Sequence, residues 1–171
     1  DLSNEDISKL MFTQNVDANY LNYPLALHRL LYLFPEYHQM FYFEVNEHIT
    51  QDYLSTLRTL STDLDIRLVL DDTNQMDTAI HHSLLDLTDW IKIDFHATIA
   101  LEKMLERGER TQILTYFERY TSKCKSLVIV LEGLGEASPL KDFLIGSWRN
   151  PTRLYYQSRE RIPLPPWDTR F

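Results

Sequence analysis

Six short apolar strands, each closing on a carboxylate, amide or ammonium side chain, constrain this chain more than any other feature. The endings are FTQN at Asn15, FYFE at Glu44, RLVLDD at Asp71 and Asp72, WIKID at Lys92 and Asp94, LVIVLE at Glu132, and RLYYQ at Gln157. Stretches of helical spacing lie between them. Parallel strands joined by crossover helices expose all their carboxyl ends on one side, so these polar termini are expected to converge on a single site. Hard oxygen donors gathered with one lysine suit a divalent metal and a phosphate ester.

The spacing of apolar residues gives the elements in order. A strand is expected over 9–16, and a helix through YPLALHRLLYLF, with Pro24 in its first turn and Pro35 ending it. Residues 40–46 alternate and are aromatic-rich, as a strand should be. Residues 50–64 place Tyr53, Leu54, Leu57, Leu60 and Leu64 on one helical stripe behind Thr50 as N-cap. IRLVLDD, residues 66–72, runs continuously apolar, the mark of a parallel strand buried on both faces. Helices are expected through MDTAIHHSLLDL, through ATIALEKMLERG with Gly108 at its C-terminus, over 109–121, and through PLKDFLIGSW with Ser138 as cap and Pro139 in first position. Strands WIKID, SLVIVLEG and RLYYQ fall between them, and the Pro-rich end is expected to be irregular and docked by Trp167.

This β/α alternation over one domain of 171 residues predicts an incomplete α/β barrel of the TIM type, about six strands in place of eight. The deficit falls at the N-terminal side, and an open edge needs cover from another chain or segment. A single cysteine, Cys124, excludes an internal disulfide and points to a reducing cytoplasm. There is no apolar run long enough to insert in a membrane, and the start DLSNEDIS does not resemble a signal peptide. A net charge of −8, with no basic stripe, argues against duplex nucleic acid as a partner. A small anionic ligand remains compatible, since local cations can dominate inside a cleft.

FTQNVD, FEVNE, LVLDD, WIKID, VLEG and YYQ, in this order and at these intervals, resemble the EAL domain family, the cyclic-di-GMP phosphodiesterases. The resemblance runs from about residue 9 to residue 164. It implies that Asn15, Glu44 and Asp71 hold one metal, Mg²⁺ or Mn²⁺, and that Asp72 reaches a second. It further implies that Lys92 holds or activates the attacking water and that Glu132 sits beside the metals. Glu47 would steady the loop after the aspartate pair, and Gln157 would be the ligand-binding glutamine. Two such metals can stabilise the attacking and leaving oxygens of a phosphodiester in line. A lysine close to them is expected to have its pKa lowered.

Four departures accompany the resemblance. The strand carrying Glu-Ala-Leu is missing; DDFGTG reads DDTNQM, without either glycine; E-G-V-E reads Glu132-Gly133-Leu134-Gly135; and Q-G-Y reads Gln157-Ser158-Arg159. Glycines permit backbone conformations that other residues resist, so the loop after Asp72 is expected to take another path. The reading that follows is a degenerate EAL domain that binds cyclic-di-GMP or a regulatory partner protein. An active phosphodiesterase yielding the linear dinucleotide is the alternative, and a dimerising scaffold is a third.

The competing structural readings are plain. A strand-end carboxylate can cap the next helix, and His28, His38, His81, His82 and His96 read as packing or surface residues. His48 stands near the expected site rim. LEKMLERGER reads as a solvated helix face with i,i+4 pairing. Tyr155 and Tyr156 fit either a cleft or a core.

Overall fold

The computed structural model describes residues 12–16, 18–23, 25–26, 29, 32, 40–46, 53–73, 83–123, 127–135, 137–149 and 153–157. The elements are β1 (Phe12–Val16), α1 (Ala18–Leu21), β2 (Phe41–Asn46), α2 (Leu54–Arg58), β3 (Arg67–Thr73), β4 (Trp90–Ile93), α3 (Phe95–Glu106), α4 (Arg110–Lys123), β5 (Val128–Glu132), α5 (Pro139–Ser147) and β6 (Leu154–Gln157). All six expected strands are present. They form one parallel sheet in the order β1-β2-β3-β4-β5-β6, which does not close on itself. The architecture is therefore the expected open α/β barrel.

The inner strands β2, β3, β4 and β5 are buried on both faces, which explains their apolar runs, whereas the edge strands β1 and β6 are largely exposed. On the helix side Phe43, Val45, Leu68, Leu70, Ile91, Ile93, Ile129 and Leu131 join Leu101, Ile113, Phe117, Tyr120, Leu140 and Leu144 in one core. On the opposite, concave side Tyr42, Val69 and Val130 are also buried. There the Tyr42 and Trp90 rings meet at 4.6 Å between centroids, and Trp90 lies nearly parallel to Tyr155 at 6.2 Å. Arg67 donates to the Tyr42 hydroxyl at 2.5 Å. Tyr155 thus belongs to the concave face. Tyr156, one residue on, points the other way, accepting from Lys141 Nζ at 2.8 Å.

Helix signals are confirmed where they lie among described residues. Ser138 caps α5, its Oγ accepting from Leu140 N at 3.2 Å, with Pro139 at the start. Gly108 ends α3 at φ +77. The helix expected over 50–64 is shorter in its α part: after Arg58 the chain widens to a π turn over Thr59–Asp63, with Leu64 N bonded to Thr59 O at 3.0 Å. Leu57 and Leu60 are still fully buried, so the apolar stripe holds across the change of pitch. In LEKMLERGER the ion pair seen is Arg107 to Glu109 at 2.6 Å, across the turn and not at i,i+4. The assignments for Pro24, Pro35, Glu47, His28, His38, His48, Thr50, His81, His82, Cys124 and Trp167 fall outside the described residues.

Candidate functional site

Four of the predicted side chains meet at the carboxyl end of the sheet. Lys92 Nζ lies 2.8 Å from Glu132 Oε1, 2.9 Å from Asp71 Oδ1 and 3.3 Å from Glu44 Oε2. These residues come from β4, β5, β3 and β2, so the cluster joins four successive strands. Relative exposure is 5% for Glu44, 13% for Lys92, 14% for Asp71 and 22% for Glu132. The pocket is deepest at β2 and opens towards β5.

The register explains how residues at different depths meet. Glu44 is level with Val69, two residues before Asp71; Lys92 is level with Val130, two residues before Glu132; Glu132 is level with Gln157. Two residues preserve the face of a strand and advance it by about 6.6 Å. Such a climb from strand to strand is the stagger that tilted barrel strands require. Between β3 and β4 the register shifts: Leu70 pairs with Ile91 but Thr73 with Ile93. Two residues, Asp71 and Asp72, therefore stand opposite the single Lys92. A bulge of this kind re-aims side chains beside a site, and no residue pattern announced it in the sequence.

The other predicted positions are placed differently. Asn15 is level with Glu44 on the edge strand β1 and is exposed. Gln157 is exposed at the end of β6. For Asp72 only its place in β3 is described, and Glu47 lies outside the described residues. Asp94 ended the WIKID strand in sequence, but its Oδ1 accepts from Ala97 N at 2.6 Å and caps α3. It is a structural carboxylate. Gly133 is a position the sequence reading passed over. Its φ is +70, its N–H donates to Gln157 O at 2.9 Å, and a Cβ there would run into the Phe95 ring. It ties the end of β5 to the ends of β4 and β6.

The expected lowering of the Lys92 pKa supposes metals beside it; among the carboxylates alone the direction is the opposite. Burial opposes the ammonium form of Lys92, but the bonds and charges of Glu132 and Asp71 outweigh it, holding the pKa above the ordinary lysine range. So long as these carboxylates surround it, Lys92 is a cation and a hydrogen-bond donor. Asp71 Oδ1 is buried, with the ammonium 2.9 Å away and no other hydrogen-bond partner.

The donor types suit a hard divalent cation: Glu44, Asp71 and Glu132 all offer carboxylate oxygens. Among the described residues, however, no three such groups are disposed to hold a metal, because their oxygens converge on Lys92. No described helix is long and apolar enough to cross a membrane.

Solved structures similar to this one are EAL domain proteins. They include the PaMucR phosphodiesterase in complex with c-di-GMP, at 18% identity and TM-score 0.60, with 81% of this chain and 57% of that one covered. An EAL domain protein from Listeria monocytogenes EGD-e matches at 18% identity and TM-score 0.65, covering 91% of this chain and 60% of that one. The FimX EAL domain of Xanthomonas citri in complex with c-diGMP matches at 12% identity and TM-score 0.54, covering 82% and 56%. The chain thus spans between 56% and 60% of the length of these three structures. No family model and no curated protein matches the chain. At such identities the likeness is one of fold.

Proposed function

We propose that this chain is an EAL-type domain of cyclic-di-GMP signalling that works by binding the dinucleotide or a regulatory partner protein, without hydrolysing the dinucleotide. The observation that carries this reading is the union of Glu44, Asp71, Lys92 and Glu132 at one mouth of an EAL-like sheet, with Lys92 paired to all three carboxylates. Solved EAL structures of the same fold are complexes with c-di-GMP. Surrounded by these carboxylates, Lys92 stands as a hydrogen-bond donor, a state suited to recognition. The loss of both glycines after Asp72 and the altered Gly133-Leu134-Gly135 stretch point the same way.

A second reading keeps the hydrolase. It is favoured by the presence of all four residues in one cluster. Glu44, Asp71 and Glu132, with Asn15 level with Glu44, are the groups that would hold Mg²⁺ or Mn²⁺. The ion would supply positive charge to the phosphate oxygens. In either reading the protein acts in the cytoplasm, and a homodimer is a further form the open sheet allows.

Calorimetry with cyclic-di-GMP, with and without Mg²⁺, followed by chromatography of the nucleotides, separates these readings. Binding with no linear product supports recognition. Turnover that disappears in Glu44→Ala and Lys92→Ala establishes the hydrolase. No heat under either condition leaves partner binding or scaffolding.

A further inference from the structure

We infer that Lys92 is a tethered counter-ion of this pocket, which competes with a divalent cation for Glu44, Asp71 and Glu132 and lets the carboxylates stay together without one. The inference deepens the functional reading above and rests on this cluster being the site. Three carboxylate oxygens from three strands close to within 3.3 Å of one nitrogen. Without a cation between them, such groups repel and one would take up a proton. The ammonium removes that cost from the centre of the cluster, from a strand paired on both sides with β3 and β5.

A metal ion has no vacant meeting point among these oxygens and can gain them only by drawing them off the ammonium. The contact with the fewest other ties is that of Asp71, whose buried Oδ1 has no hydrogen-bond partner besides the ammonium at 2.9 Å. The bulge that sets two residues opposite Lys92 gives β3 an irregular backbone at that very point. The lysine therefore sets the concentration of metal at which the pocket can change occupant. Below that concentration the chain presents a metal-free cluster in which one ammonium bridges three carboxylates.

Mn²⁺ alone, without dinucleotide, tests this on the full chain. Calorimetry and the electron paramagnetic resonance signal of free Mn²⁺ are to be compared between the wild type and Lys92→Met. The variant keeps most of the side-chain volume and loses the charge. The expected result is Mn²⁺ binding at least about tenfold tighter in the variant, as removal of a unit charge at ~3 Å implies. The gain should vanish in Lys92→Met with Glu132→Gln, which locates the ion in this cluster. Equal or tighter binding by the wild type overturns the inference. If Lys92→Met is unfolded without metal, circular dichroism reads the outcome: recovery of structure on adding Mn²⁺ supports the competition, and no recovery refutes it. Failure of cyclic-di-GMP to bind would remove dinucleotide recognition from the functional reading and leave this result standing.

Discussion

Replacing Gly133 by alanine should cost far more than the same change at Gly108, although both glycines end regular elements with positive φ, +70 and +77. The left-handed conformation penalises any L side chain by about 1–2 kcal/mol, and both variants carry that term. A Cβ at Gly108 would meet nothing within 4 Å. At Gly133 it would enter the Phe95 ring, closest to Cδ2, with Cε2 at 3.0 Å and Cγ at 3.3 Å. Phe95 is the first residue of α3, fixed by the Asp94 cap, so the ring cannot move without disturbing the β4–α3 junction. Overpacking of this sort adds about 1–3 kcal/mol. The expected losses are therefore about 1–2 kcal/mol for Gly108→Ala and about 2–5 kcal/mol for Gly133→Ala. Urea unfolding followed by tryptophan fluorescence measures both, with unchanged slopes required for a fair comparison. Losses that agree within about 0.5 kcal/mol would refute the steric reasoning, since that is the scatter of changes with no specific mechanism.

Two other perturbations separate structure from site. Asp94→Ala removes the α3 cap and should cost about 1 kcal/mol in urea unfolding, while leaving calorimetric dinucleotide binding unchanged because Asp94 stands outside the Lys92 cluster. Loss of binding with intact folding would show that the carboxylate does more than cap. Stability should also fall at alkaline pH. The Lys92 pKa is raised in the folded state, so its stabilisation is complete below the unfolded value of about 10.4 and is lost as pH rises through the folded value. Urea midpoints from pH 9 to pH 11.5 should decline more steeply in the wild type than in Lys92→Met; parallel curves would count against the raised pKa.

The strands were legible because a parallel sheet buried on both faces leaves a continuous apolar run, as in RLVL and LVIVL, that no amphipathic helix imitates. The caps were legible because Ser138-Pro139 and Gly108 satisfy local geometry. Three features were not. Asp94 shares with Lys92 the end of one strand, and only coordinates distinguish a carboxylate that accepts from Ala97 N from one that meets a lysine. The bulge at Asp71 and Asp72 depends on pairing between strands, which a single strand's sequence does not encode. The pKa of Lys92 depends on which charge is nearest. Metals nearby would lower it, whereas the carboxylates of Glu132 and Asp71, at 2.8 and 2.9 Å, raise it.

The common cause of site and fold is stagger. Glu44, Asp71, Lys92 and Glu132 sit at unequal heights in the pairing ladder, and they meet because the register climbs by two residues between β2 and β3 and again between β4 and β5. An even step keeps every one of these side chains on the concave face; an odd step would turn one outwards into Phe43, Leu70, Ile93 or Leu131 territory, where a charge has no partner. The apolar residues therefore police the site. Slippage of β5 by one residue would bury Glu132 among the helices and expose Leu131, a penalty large enough to exclude the alternative. Among the described strand pairs the bulge is the place where the count is odd, and it falls at Asp71 and Asp72, opposite Lys92 in the register. The regular pairing of Leu70 with Ile91 already leads Asp71 to the lysine, and the extra residue ends that register just beyond the charge cluster, so the irregularity costs no pairing that the cluster needs.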